Sequence, residues 1–265
     1  MLRDITLGQY FPGDTVVHRL DPRTKLLLVI VYIVGLFSAT GWPSYGLIIA
    51  VTVFSLAISR IKPKSAFRGL KPLIFIIILT ALLNIFYTQG TPVAEGWPIT
   101  WEGIEKAIMM SLRIILLIIG TFMLTYTTSP IALTDGMELL LNPLKVIKVP
   151  VHEMSMMMSM ALRFIPTLIE ETDKIMSAQK ARGADFETGS LFQRAKALLP
   201  ILVPLFVSSF RRADELAVAM ESRCYHGGEG RTRMKQLKLV GRDWIALALG
   251  VLFLAAIYVM KHFGL

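Results

Sequence analysis

Five long apolar runs constrain this chain more than any other feature. They cover residues 26–40, 45–59, 73–88, 108–127 and 244–260, with Arg113 their one marked ionisable interruption. A helix needs about 20 predominantly apolar residues to cross the hydrocarbon layer, with some slack for tilt. The first two runs are short by that measure. In lipid every backbone N–H and C=O must be satisfied within the protein, so each run is read as a helix. Composition agrees: 54% of the 265 residues are hydrophobic, against about 45–50% in a soluble domain. Mean hydropathy is +0.59.

The loops between the runs alternate in charge. Arg19, Arg23 and Lys25 precede the first run, and the turn after it, "TGWPS", is uncharged. The next loop carries Arg60, Lys62, Lys64, Arg68 and Lys71 without an acid; the one after the third run holds Glu95 and Glu102 without a base. Basic loops remain cytoplasmic, which puts the N-terminus inside and Trp42, Trp97 and Trp101 at the outer interface. The net charge of +9 is read as this bias rather than as a nucleic-acid surface. The chain accordingly divides into an N-terminal cytoplasmic segment (1–25), four spans (26–127), a cytoplasmic or interfacial module (128–243) and a last span (244–265). The N-terminal residues show no secretory h-region. The single cysteine, Cys224, excludes an intramolecular disulfide.

One stretch tests that topology. "ALLPILVPLFVSSF", residues 197–210, contains Pro200 and Pro204 and lies between Arg194 and Lys196 on one side and Arg211 and Arg212 on the other. Spanning would carry one basic pair outside, so an amphipathic helix lying under the membrane part is expected. Three charged residues inside or beside the spans have simpler expectations. Arg113, near the outer end of the fourth run, is expected to snorkel to the interface. Arg23 and Lys25 sit at head-group level as anchors, behind Asp21 as helix N-cap and Pro22 as first helical residue.

The module repeats a pattern. "SAQKARGADF" and "MESRCYHGGEG" each place an arginine between small residues where a helical pattern stops; Arg182 and Arg223 are 41 positions apart. The first helix carries Glu170, Glu171 and Asp173 before Lys180 and Arg182, and is bent or restarted near Pro166; the second carries Asp214 and Glu215 before Arg223. Acid early and base late suits the helix dipole, and Gly183 is a good left-handed terminator. Ala178 and Ala219 lie one turn behind each arginine on the same face. A basic residue at a helix end needs no function. Two matched ends leave bare backbone around a rigid five-donor fork, a shape suited to a carboxylate in a partner's groove. The methionine run "MSMMMSM", with Met154, Met156, Met157, Met158 and Met160, serves equally as core filler or as an adaptable apolar face.

Catalytic and energising chemistry is absent from the pattern. There is no GxxxxGK[ST] phosphate loop, HExxH, paired Cys or GxSxG, and the four histidines are scattered. An ion-driven carrier needs carboxylates or broken helices within its spans, and a lipid-phosphate enzyme needs an acid–base or metal constellation at the membrane surface. Neither is visible, so energy must come from other polypeptides.

Three stretches carry a family resemblance. "FPGDTVVHRLDPRTKLLL", the pair "ARG" and "SRC", and "GGEGRT" resemble the transmembrane T component of energy-coupling factor (ECF) transporters, relatives of the integral-membrane subunit of cobalt and nickel ABC importers. The resemblance runs in order along essentially the whole chain. It implies an all-α integral membrane protein with about five transmembrane helices and a cytoplasmic coupling module bearing two long arginine-tipped helices. It further implies a non-enzymatic scaffold bound to two ABC-type ATPases, which hold ATP and Mg, and to a membrane S component that captures a vitamin or metal ion; this chain itself needs no cofactor. The family's docking motifs match Ala181, Arg182, Gly183 and Ser222, Arg223, Cys224. The second departs by its flanking Ser and Cys, which puts a requirement for glycine's backbone freedom in question. Met154, Met156, Met157, Met158, Met160, Pro200 and Pro204 are then the expected S-component surface. A dedicated cobalt or nickel importer is the close alternative.

Overall fold

A computed structural model describes residues 10–61, 69–92, 99–186, 188, 190–227 and 236–263. The basic loop residues Lys62, Lys64 and Arg68, together with Glu95, Trp97 and most of "GGEGRT", lie outside these. The described residues are helical throughout, apart from turns and one isolated bridge, Pro92 to Thr100. In order the helices are α1 (Pro22–Ser38), α2 (Trp42–Ser59), α3 (Ile74–Tyr87, after a 3-10 turn), α4 (Trp101–Thr127), α5 (Pro130–Leu141, running into the 3-10 segment Asn142–Ile147), α6 (Val151–Ala181), α7 (Leu191–Glu221) and α8 (Gly241–His262). Their described residues fall into two compact units, one within 10–137 with 237–263 and one within 138–236.

The first unit is a bundle of alternating direction. Asp21 meets Asp243 and Gly35 meets Ile257, while Leu28 packs on Gly250. All three pairs are separated by 222 positions, so α1 and α8 run parallel and in register. The α4 helix runs against α1, from Arg113 on the Ala39 carbonyl at one end to Lys25 on the Thr127 carbonyl at the other. It runs with α2 and against α3. The apolar centre is Leu36, Ala39, Tyr45, Ile48, Leu116, Phe253 and Ile257. The α3 helix packs chiefly on α4 and buries none of its residues.

The exposed faces identify the solvent. Helices α2, α4 and α8 are long and apolar enough to cross a bilayer, and only 22–28% of their apolar windows is buried. So large an unpartnered apolar surface is stable in lipid and not in water. The α3 helix with its preceding turn is shorter but apolar. The fourth helix starts at Trp101, earlier than residue 108, because Thr100 caps it by accepting from the Gly103 N–H at 3.1 Å.

One expectation about charge is corrected here. Lys25 is 6% exposed and donates to the His18 carbonyl (3.1 Å), the Thr127 carbonyl (2.8 Å) and the Thr128 hydroxyl (3.2 Å). Arg23 donates to the Leu237 carbonyl at 2.7 Å. Both are internal ties, not head-group anchors. They are drawn inward because α4 ends beside the start of α1, and the unpaired carbonyls of that terminus and of the adjoining loops need donors. Asp21 does cap α1, accepting from the Arg23 N–H at 2.9 Å, and its own N–H donates to buried Asp243 at 2.8 Å. Asp243 also accepts from the Val240 N–H at 2.8 Å, so one carboxylate joins the starts of α1 and α8. Arg113 reaches the α1–α2 turn. Its guanidinium donates to the Tyr45 hydroxyl (2.9 Å) and the Ala39 carbonyl (3.0 Å), beside the Phe37 and Tyr45 rings. The C-terminal carbonyls of α1 favour a cation there.

The second unit contains the hairpin of α6 and α7. Both are continuous 31-residue helices. Pro166 therefore does not restart the first. Residues 197–210 do not form a short helix of their own; they are the middle of α7. Ser190 and Gln193 form a capping box at its start, and Ala197, Ile201, Leu205, Ser208, Arg212 and Met220, mostly at three- and four-residue steps, are the less exposed stripe. Pro204 has no N–H to give the Pro200 carbonyl, and Gln179 of α6 donates to that carbonyl instead, at 3.5 Å. Glu171 accepts from the Ser208 hydroxyl and from Arg212 (3.1 Å), whose guanidinium also lies 5.7 Å from the Phe164 ring centre. The pairs 179 with 200, 171 with 208, and 164 with 212 make the hairpin antiparallel.

Candidate functional site: two arginine-capped helix ends

The α6 helix stops in a six-residue wrap that its sequence requires. Gly183 sits at φ +88°, a left-handed conformation, and a Cβ added there would meet nothing within 4 Å. Its N–H donates to the Lys180 carbonyl (3.0 Å) and the Ala184 N–H to the Gln179 carbonyl (3.0 Å). These are the two bonds of a Schellman termination, with Arg182 as C-cap.

The α7 helix ends the same way. Cys224 occupies the left-handed position at φ +56°. Its N–H donates to the Glu221 carbonyl (2.9 Å), and the Tyr225 N–H to the Met220 carbonyl (3.1 Å). Arg223 therefore occupies the place of Arg182, and Cys224 that of Gly183. Glycine's backbone conformation is required at the second end too, and a cysteine adopts it there. Ala178 and Ala219 are exposed one turn behind.

Both arginines are exposed, and neither has a side-chain hydrogen bond or ion pair among the described residues. Lys180, one residue from the first tip, is engaged, and Arg212 is held by Glu171. Because the hairpin is antiparallel, the tips lie at its opposite ends, about 40 Å apart along the helices by the register of its facing pairs.

The methionine run divides into two groups. Met154, Met157 and Met158 are exposed at 47%, 59% and 42%. Met156 and Met160, one turn apart, are half-buried and face the second tip across a cleft of about 440 Å³ that Met220, Arg223, Tyr225 and His226 also line. Pro200 and Pro204 are exposed on α7, amid Leu199 (53%), Val203 (63%), Phe206 (61%) and Phe210 (68%). The run's helical spacing allowed this division to be anticipated; the cleft depends on where α7 ends and could not be. Near the start of α6, His152 meets Glu138 at 3.0 Å. No cluster of three metal-ligating side chains occurs among the described residues.

Comparison with known proteins accounts for this architecture. Residues 13–234 match the family described as cobalt transport protein, CbiQ. The energy-coupling factor transporter transmembrane protein EcfT of Clostridium kluyveri is 55% identical over 99% of this chain and 98% of its own. The protein of that name from Thermosediminibacter oceani is 54% identical over 97% of this chain and 98% of its own, and that of Bacillus subtilis 47% over 98% and 100%. An all-helical chain with bilayer-length apolar helices, matched end to end by these proteins, belongs to the CbiQ family and to its group of energy-coupling factor transporter transmembrane proteins.

Proposed function

We propose that the chain is a non-catalytic scaffold that passes movement from two ABC-type ATPases, through the α6–α7 hairpin, to a substrate-loaded S component. The observation that carries this reading is the pair of tips: two arginines in the same cap geometry, exposed and without an acidic partner among the described residues, at opposite ends of one hairpin. Each fits a groove presenting a carboxylate, and their separation suits two similar subunits side by side. Ala181, Gly183, Ser222 and Cys224 keep the backbone around the guanidinium accessible. ATP and Mg belong to the partners.

The alternating directions of α1, α2, α3, α4 and α8 support five crossings, with the N-terminus and the hairpin on the cytoplasmic side. The S component then meets Met154, Met157, Met158 and the exposed flank of α7 around Pro200 and Pro204. Thioethers repack readily, so this face suits several interchangeable S components, with a vitamin as typical cargo. A dedicated cobalt or nickel importer is less favoured, because the near-full-length relatives are named as energy-coupling factor proteins.

The test is the double charge reversal Arg182→Glu with Arg223→Glu. Like charges then face the partners' carboxylates, and coupled uptake falls to background while the protein still assembles in the membrane. Uptake at the normal rate would refute the docking role.

A further inference from the structure

The two tips share a cap but not their surroundings. The residue that closes the wrap is Ala184 at the first tip and Tyr225 at the second. At the second, Tyr225 and Met220 form one wall of the cleft, and Met156 and Met160 reach in from α6. Arg223 stands on the same rim, exposed and without a carboxylate partner among the described residues.

We propose that this cleft is a second recognition element of the Arg223 tip, one that takes a bulky apolar or aromatic side chain of the ATPase standing beside the carboxylate that pairs with Arg223. The proposal rests on the docking reading above and adds the chemistry of the partner segment: an Asp or Glu neighbouring a Phe, Tyr, Trp or Leu. Charge complementarity selects the acid, since Arg223 is unneutralised and His226 beside it is no anion. The three methionines select the neighbour, because flexible, polarisable thioethers close around irregular apolar shapes and make favourable sulfur–aromatic contacts. At about 440 Å³ the cleft has the size of pockets that take a whole ligand group. An S component is the poorer occupant, since one bound segment must reach both the cleft and Arg223. The residue that closes the wrap is small at the first tip, Ala184, and aromatic at the second, Tyr225, so the two tips prefer different ATPase surfaces.

Site-specific photocrosslinking in the assembled complex tests this. The photoreactive amino acid p-benzoylphenylalanine is placed at Val218, exposed one turn before the tip, or at Met160 or Met157, in the full chain co-expressed with its ATPases and S component, and linked peptides are identified by mass. Position 218 reports docking itself; failure to reach an ATPase there sinks the docking reading and the cleft with it. Given docking, position 160 is expected to link to the same ATPase as 218, within a few residues of an Asp or Glu, whereas outward-facing 157 does not. A link from 160 only to the S component, to this chain or to lipid overturns the cleft while docking stands. As a second measure, Met160→Lys is expected to weaken that ATPase's retention about 10–100-fold, and Ala161→Lys, at an exposed neighbour, to leave it unchanged; equal retention by both variants overturns the proposal.

Discussion

At the scale of the residue, polar side chains in this protein are set by which backbone atoms lie within reach. His18 shows it best. Its Nε2–H donates to the Phe11 carbonyl (3.1 Å), which fixes the tautomer, and Nδ1 then accepts from the Thr15 hydroxyl at 2.7 Å. Burial, partly offset by the Phe11 carbonyl and reinforced by nearby Lys25, lowers its pKa below the ordinary 6.5. The folded loop therefore prefers the neutral ring. Its contribution to stability is complete above about pH 6.5, falls as pH drops below that value, and stops falling once the folded state is also protonated. The ring should titrate below 6.5 by NMR in micelles, and a His18→Gln variant should lose less thermal stability between pH 7.5 and pH 5. A ring titrating above the ordinary value would contradict the burial argument.

At the scale of the element, the two hairpin helices end alike although their sequences differ. A Schellman end needs one residue in the left-handed region, at little cost to glycine and about 1–2 kcal/mol to a residue with a Cβ. Gly183 was recognisable as such a terminator. Cys224 was not, because nothing in "SRC" announces a left-handed cysteine; only the hydrogen bonds around Glu221 and Met220 reveal it. Cys224→Gly should stabilise the second tip by about 1 kcal/mol, seen as slower amide exchange at Cys224 and Tyr225 with uptake retained. Faster exchange would mean the cysteine side chain holds the turn. The same limit explains the reading of residues 197–210 as a separate helix. Tandem prolines suggest interruption, but Gln179 on the facing helix supplies the donor that Pro204 lacks, and α7 continues through.

At the scale of the whole molecule, the bundle and the hairpin divide the labour. The bundle presents apolar faces to lipid and ties Lys25 and Asp243 inward. The hairpin leaves its two arginines without a side-chain partner among the described residues. On the proposed coupling role, the scaffold draws its energy from the partner ATPases. The purified chain alone in liposomes should move neither vitamins nor divalent cobalt or nickel above leak under an imposed proton or sodium gradient, and adding the ATPases, an S component and ATP should restore uptake of that component's cargo. Gradient-driven uptake by the lone chain would make it a secondary carrier and end the coupling account.

Sequence alone determined the helical class, the membrane setting, the family and the existence of both arginine ends. Each follows from local periodicity, run length or short motifs, which act within one segment of chain. Tertiary structure decided what depends on neighbours distant in sequence. It turned Lys25 inward because the unpaired Thr127 carbonyl at the end of α4 lay within its reach, and it gave Arg113 the Ala39 carbonyl at the end of α1. It set Met156 and Met160 beside Arg223 because an antiparallel hairpin brings the start of one helix to the end of the next.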